Sequence, residues 1–188
     1  MLAALEAVAR EADVICVGDQ MTYGCVTPRV RERLCEMGKN GRTVIVDSRS
    51  RIADYRCVTV KPNETEALRA FGGEAGEDDL EGLARLAGRI RAKNGRLTLM
   101  TLGSRGCFVA DEGGVVRVPA CPVPPPIDFV GAGDTFLSGF GMALAAGAGP
   151  VEAAQVATLC SAVTIRKIGV TGTATREEVL AAWDAYFG

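Results

Sequence analysis

Apolar positions along the chain change period several times, and each change marks an element. Leu2, Leu5, Val8 and Ala9 recur at helical spacing, and Asp13 to Gly18 then reads as a short buried strand. Thr27-Pro28 supplies an N-cap and a first-turn residue for a helix running through Met37 and stopped by Gly38. Thr43 to Val46 and Cys57 to Val60 are the next two strands. Asn63 caps a helix through Phe71, with Glu66 at the reciprocal capping-box position. Glu77 to Lys93 is a charged amphipathic helix carrying Leu80, Leu83, Leu86 and Ile90 on one face, ended by Asn94-Gly95. Leu97 to Leu102 is a strand, and Cys107 to Ala110 and Val115 to Val118 are two more around Glu112-Gly113-Gly114. After the prolines of Pro122 to Pro126 come three helices: one through Leu144, a small-residue helix from Val151 to Lys167, and one from Glu177 to Phe187. The last should dock Val179, Leu180, Trp183 and Phe187 on the core. Strands alternating with amphipathic helices predict an α/β chain with a mostly parallel sheet.

Composition narrows the function classes. At 188 residues the chain is long enough for one domain with a proper core. A formal charge of −2 argues against a nucleic-acid surface, and Arg29, Arg31 and Arg33 read as a solvated helix face. Seven cysteines with no C-x-x-C pair, and no histidine, exclude zinc and Cys/His chemistry. Scattered as they are, the cysteines read as small buried hydrophobes in a reducing compartment. The first turns are charged and no segment has the apolar length of a membrane span, so a cytoplasmic protein is expected.

Candidate chemistry concentrates in Ile127 to Leu144. The prolines deliver an extended backbone, and Gly131, Ala132 and Gly133 then open a helix with almost no side chain over its unpaired first-turn amides. Such a turn takes an anion. Asp134 adds a carboxylate to the same turn, which makes sense if the amides hold a phosphoryl group while Asp134 accepts the proton of an attacking hydroxyl. A glycine loop that only turns the chain, with Asp134 complementing the dipole, accounts for the same residues. A dinucleotide fingerprint fits less well, since Gly131-x-Gly133-x-x-Phe136 fills two of its three glycine positions and follows prolines instead of a strand.

Three motifs carry a family resemblance. D-F-V-G-A-G-D-T-F resembles the D-T-x-G-A-G-D-x-F signature of the ribokinase-like (PfkB) carbohydrate kinases, K-P-N-x-x-E resembles their P-N-x-x-E motif, and T-L-G-S-R-G is similar to their nucleotide loop. The resemblance implies a three-layer α/β/α ribokinase-like fold and phosphoryl transfer from ATP to a sugar or sugar phosphate. It implies Gly131, Ala132 and Gly133 as the anion hole and Asp134 as catalytic base. Thr101, Gly103 and Gly106 would line the nucleotide, with Gly169 of Gly169-Val-Thr-Gly172 beside it. Asn63 and Glu66 would organise magnesium, and Asp128 an alkali cation such as potassium. Capping alone also explains Asn63 and Glu66, and a tight turn explains Gly103 to Gly106.

The resemblance covers the C-terminal part of the family, without the strand-built lid and the Gly-Gly region that grips the sugar. A homo-oligomer, or a separate chain supplying the missing half, is therefore expected. V-D-S-R-S-R-I-A-D-Y-R-C-V-T-V-K-P-N-E-T-E is similar to the corresponding stretch of heptose-phosphate kinases, the kinase half of ADP-heptose synthases, and G-D-Q-M-T-Y-G around Asp19 is weakly similar to the D-Y-x-K-G of that branch. Asp47-Ser48-Arg49 sits at a strand's C-terminal end, where open α/β sheets place their ligands, but an ordinary turn with exposed charges is the reading the residues favour. Against the kinase stand two alternatives: a catalytically incomplete nucleotide-binding remnant acting as a regulatory or assembly partner, and a dinucleotide-dependent α/β enzyme.

Overall fold

The computed structural model describes residues 1–73, 76 and 79–187. In chain order they form α1 (Leu2–Glu11), β1 (Val14–Asp19), α2 (Pro28–Lys39), β2 (Thr43–Ser48), β3 (Thr59–Val60), α3 (Glu64–Phe71), α4 (Leu80–Asn94), β4 (Thr98–Thr101), β5 (Cys107–Asp111), β6 (Gly114–Val118), α5 (Ala132–Ala145), α6 (Pro150–Thr164) and α7 (Arg176–Phe187). The chain divides into two compact units, Met1–Leu102 with Phe108–Arg117, and Gly103–Cys107 with Val118–Gly188.

The first unit is built on a sheet in which the strands follow chain order, β1 through β6. β1 to β4 pair in parallel, with Val46 opposite Val60 and Asp19 opposite Ser48. Parallel pairing brings the C-terminal ends of β1, β2, β3 and β4 to one edge, so Asp19, Asp47, Lys61 and Thr101 all arise there. Leu34 and Met37 of α2 and Leu83, Leu86 and Ile90 of α4 pack with Val44, Val46, Val60 and Met100 into one buried cluster. Burying each such side chain fully is worth about 1.5–3 kcal/mol, which is what holds helices of this length against the sheet.

Several boundaries differ from those read in the sequence, for local reasons. Gly38 lies inside α2 and does not stop it; it is small because a Cβ there would collide with the Cys57 carbonyl. The left-handed turn falls to Gly41, at φ 89°. β3 starts two residues later than expected because Cys57 itself is left-handed, at φ 60°. α4 begins at Leu80, with Asp79 Oδ1 accepting from Gly82 N at 2.8 Å; Glu77 lies outside the described residues.

The arginines of α2 are not a uniformly solvated face. Arg31 lies 3.6 Å from Asp54 and over the Tyr55 ring, and Arg33 pairs with Glu6 and Glu36. The cysteines form no disulfide among the described residues, but only Cys107 and Cys160 are buried, so the reading of all seven as core hydrophobes fails.

In the second unit α6 lies close on α5. A Cβ on Gly139 would sit 2.9 Å from Cys160 Sγ, so the small residues are what permit the approach. α7 docks through Val179, Ala182 and Tyr186 on Leu159 and Val163, and the Tyr186 hydroxyl donates to Pro122 O at 2.6 Å. Leu180 and Trp183, expected in that contact, are 53% and 43% exposed. Leu180 lies on the helix face roughly opposite Ala182, two residues along a 3.6-residue turn. No helix among the described residues is long and apolar enough to cross a membrane.

Candidate active site

In the first unit the site residues gather at the C-terminal edge of the sheet. Asn63 caps α3: its Oδ1 accepts from Glu66 N at 2.7 Å, and Glu66 Oε2 accepts from Asn63 N at 3.0 Å. The capping box is therefore real, and it uses one oxygen of each side chain, leaving the Asn63 amide nitrogen and Glu66 Oε1 for other partners. Asn63 also bridges to Thr101, whose N–H donates to Pro62 O at 3.0 Å. Three residues separated in sequence, Asn63, Glu66 and Thr101, thus meet.

Burial pushes the Glu66 carboxyl above the ordinary range; the backbone N–H of Asn63 opposes this, and Asp47 and Lys61 act on it in opposite directions. Asp47 and Lys61 form a pair of their own, 2.8 Å apart and nearly sealed from water. The sequence reading of Asp47-Ser48-Arg49 as an exposed turn is overturned at its first two residues. Asp47 is 7% exposed and Ser48 fully buried, because each has a partner on a neighbouring strand end.

Ser48 belongs to a second network. Asp19 accepts hydrogen bonds from Ser48 Oγ at 3.0 Å, from the Tyr55 hydroxyl at 2.9 Å and from the Arg51 guanidinium through both oxygens. Burial alone would raise the Asp19 carboxyl, but the bonds from Arg51, Tyr55 and Ser48 outweigh it and hold it below its ordinary value. Arg51 also donates to the carbonyls of Met21 and Thr22, fixing the loop after β1. Lys61, Arg51 and Tyr55 were missed from the sequence. For Lys61 the available signal was a residue of opposite sign to Asp47 at the end of the adjacent parallel strand.

In the second unit Gly131 is the N-cap of α5 in the left-handed conformation, φ 78° and ψ −1°. Ala132 N donates to Phe129 O at 3.1 Å, and the helical ladder starts with Thr135 N to Gly131 O at 2.9 Å. The amides of Gly133 and Asp134 lie between these two bonds, ahead of the ladder, where a helix directs N–H groups outward. Gly133 and Asp134 are exposed, with the Asp134 carboxylate in that first turn. α6 braces the turn from behind through Ser161 Oγ to Ala132 O at 3.1 Å and Thr164 Oγ1 to Thr135 Oγ1 at 3.2 Å.

Asp128 and Gly169, 41 residues apart, are joined directly: Asp128 Oδ2 accepts from Gly169 N at 3.0 Å, and Oδ1 from Val130 N at 3.0 Å. These two backbone donors hold the Asp128 carboxyl below its ordinary value. Thr171 follows in the same loop, and its Cγ2 would stand 3.0 Å from a Cβ on Gly131. Gly103 and Gly106 belong to this unit as well, at φ 56° and 93°, with Gly106 N donating to Gly103 O at 3.1 Å. A side chain on Gly106 would strike the Val118 carbonyl.

Among the described residues no three His, Cys, Asp or Glu side chains cluster as a metal cage. The Glu66 carboxylate is a hard oxygen donor of the type that magnesium takes.

The sequence from residue 5 to 176 matches the family model described as pfkB family carbohydrate kinase. Among curated relatives, the bifunctional protein HldE of Caulobacter sp. (strain K31) is 35% identical over 184 residues, covering 96% of this chain and 37% of that protein. HldE of Gluconacetobacter diazotrophicus is 32% identical over 191 residues, 98% of this chain and 38% of that protein. The chain thus spans well under half the length of the curated relatives it matches. Among solved structures, Arabidopsis thaliana ribokinase complexed with ribose and ATP aligns with a TM-score of 0.77 at 21% identity, over 96% of this chain and 58% of that one. Escherichia coli phosphofructokinase-2 in complex with potassium aligns at 0.75 and 21%, over 98% and 61%. The fold is ribokinase-like, a three-layer α/β/α arrangement.

Proposed function

This chain belongs to the pfkB family of carbohydrate kinases, and from that premise we propose that it transfers the γ-phosphoryl group of ATP to a hydroxyl of a sugar or sugar phosphate. The observation that carries the reading is the first turn of α5, where two amides precede the helical ladder and an exposed carboxylate, Asp134, shares the turn. The hydroxyl oxygen forms a bond to the γ-phosphorus, the bond from that phosphorus to the ADP oxygen breaks, and the hydroxyl proton passes to Asp134. Amides aimed at the phosphoryl oxygens stabilise charge without having to reorganise. Ala132 N is engaged by Phe129 O, so the donors fall to Gly133 and Asp134.

Thr101, Gly103 and Gly106 line the nucleotide in this reading. Asn63 and Glu66 would hold magnesium. When bound, the metal neutralises charge on the nucleotide phosphates. Asp128 and Gly169, already tied to each other, border an alkali-cation position, with potassium the candidate. The similarity to HldE proteins favours a heptose phosphate as acceptor. A cytoplasmic location follows from the nucleotide it would consume. β1 ends the strand order, and its outer edge would take a strand from a second copy or a separate chain.

The test is ADP release by the purified chain with ATP, magnesium and a panel of sugars and sugar phosphates, alongside light scattering for its mass. Sugar-dependent ADP release supports the kinase. ATP binding without release under any sugar supports a nucleotide-binding protein without turnover.

A further inference from the structure

A second polar cavity lies in the first unit at the opposite end of the same strands, where β2 and β3 begin. Its volume is about 240 Å³, and its lining includes three arginines, Arg42, Arg91 and Arg96, and two carboxylates, Asp111 and Glu112, with Thr43 and Thr59. We propose that it is a binding site for a small phosphate-bearing ligand, separate from the nucleotide site and independent of the kinase reading.

Three guanidiniums border one small cavity in a chain whose formal charge is −2. Their present bonds leave most of their donors open. Arg42 gives one N–H to Ala12 O at 2.9 Å and Arg96 one to Gly38 O at 3.0 Å, out of five donors on each. These bonds anchor the side chains at the cavity without neutralising them. Arg91 reaches Glu112 at 3.0 Å, but the Glu112 side chain is 92% exposed, and an ion pair so open to water holds little energy. Arg91 Nε is buried without an acceptor. A buried unpaired donor is costly, and a phosphate oxygen at Arg91 would remove that cost. Asp111 Oδ1 accepts from Gly113 N at 2.8 Å, which occupies one of its two oxygens.

The chemistry selects a dianionic oxyanion. Guanidiniums recognise phosphate through paired N–H donors, and three of them line this cavity beside Thr43 and Thr59. Size selects a compact ligand, because the cavity lies below the roughly 300–1,000 Å³ of sites for drug-sized molecules. A phosphate monoester on a short carbon chain fits that bound, and a nucleotide exceeds it.

The experiment titrates the purified chain with inorganic phosphate and with glycerol 3-phosphate, by calorimetry and by amide NMR, at low ionic strength. Saturable binding with shifts at Thr43, Thr59 and Gly95 is expected. Arg91→Gln should weaken it about tenfold or more, as loss of a charge-assisted pair does. Arg42 and Arg96 are exposed, so the double variant Arg42→Gln/Arg96→Gln should fold even if Arg91→Gln does not, and it should weaken phosphate binding while leaving ATP affinity unchanged. Absence of saturable phosphate binding, equal affinity in the double variant, or shifts confined to the first turn of α5 would each overturn the proposal. None of these outcomes bears on sugar-dependent ADP release, so the two readings fail separately.

Discussion

Lys61 Nζ lies 2.8 Å from Asp47 Oδ2, with the two side chains 5% and 9% exposed. Neither charge can be left alone there. Lys61→Met should destabilise the chain by about 3–5 kcal/mol, because it strands a buried carboxylate. Asp47→Leu combined with Lys61→Met should recover most of that loss, since removing both charges removes the desolvation cost as well. Urea unfolding of the two variants measures it; an additive double variant would mean that the pair is not coupled.

The pH dependence should have two parts of opposite sign. Asp19 is held below its ordinary value of 3.8, so its contribution is fully present above that pH and is lost as pH falls through the lower folded value. Glu66 is raised above 4.5, so its ionisation costs stability as pH rises from there through the folded value. Urea midpoints across the acid range should therefore fall less steeply at the acid end in Asp19→Asn than in the parent chain. Glu66→Gln should remove the loss that sets in above 4.5. Parallel curves for all three proteins would show that neither carboxyl is linked to folding.

The surroundings of Asp19 and Asp47 mark where sequence reading reached its limit. Asn63 and Glu66 were legible because a capping box is a local pattern, four residues long, and Gly131 to Asp134 because a helix start is local too. The bonds that set the Asp19 and Asp47 environments join residues 14 to 36 positions apart. They depend on strand register and on parallel pairing, which hydrophobic alternation suggests but does not align. The same holds for Asp128 and Gly169, which the motifs named singly and the fold ties together. Cys57 is a different kind of miss, since a left-handed non-glycine residue has no composition signal.

Asp134→Asn should lower phosphoryl transfer by about 10²- to 10⁴-fold, the usual worth of a general base, with ATP affinity nearly unchanged. The amides ahead of the α5 ladder, and not the carboxylate, hold phosphate in the proposed mechanism. Turnover and calorimetric ATP binding on the same preparation separate the two quantities. Undiminished turnover would remove Asp134 from the chemistry.

Gly131 and Gly133 should respond differently to a side chain, although both belong to the same motif. Gly131 holds φ at 78° and faces Thr171 Cγ2, so Gly131→Val meets backbone strain and a close contact together. It should destabilise the second unit by more than about 1 kcal/mol and weaken ATP binding with it. Gly133 is already helical and exposed, and valine has the better helix propensity, by a few tenths of a kcal/mol. Gly133→Val should therefore leave the thermal midpoint unchanged or slightly raised while placing a branched side chain over the amides where the phosphate would lie. Thermal unfolding and ATP calorimetry on both variants decide the matter. A stable Gly133→Val chain with the parent's ATP affinity would place the nucleotide phosphates elsewhere.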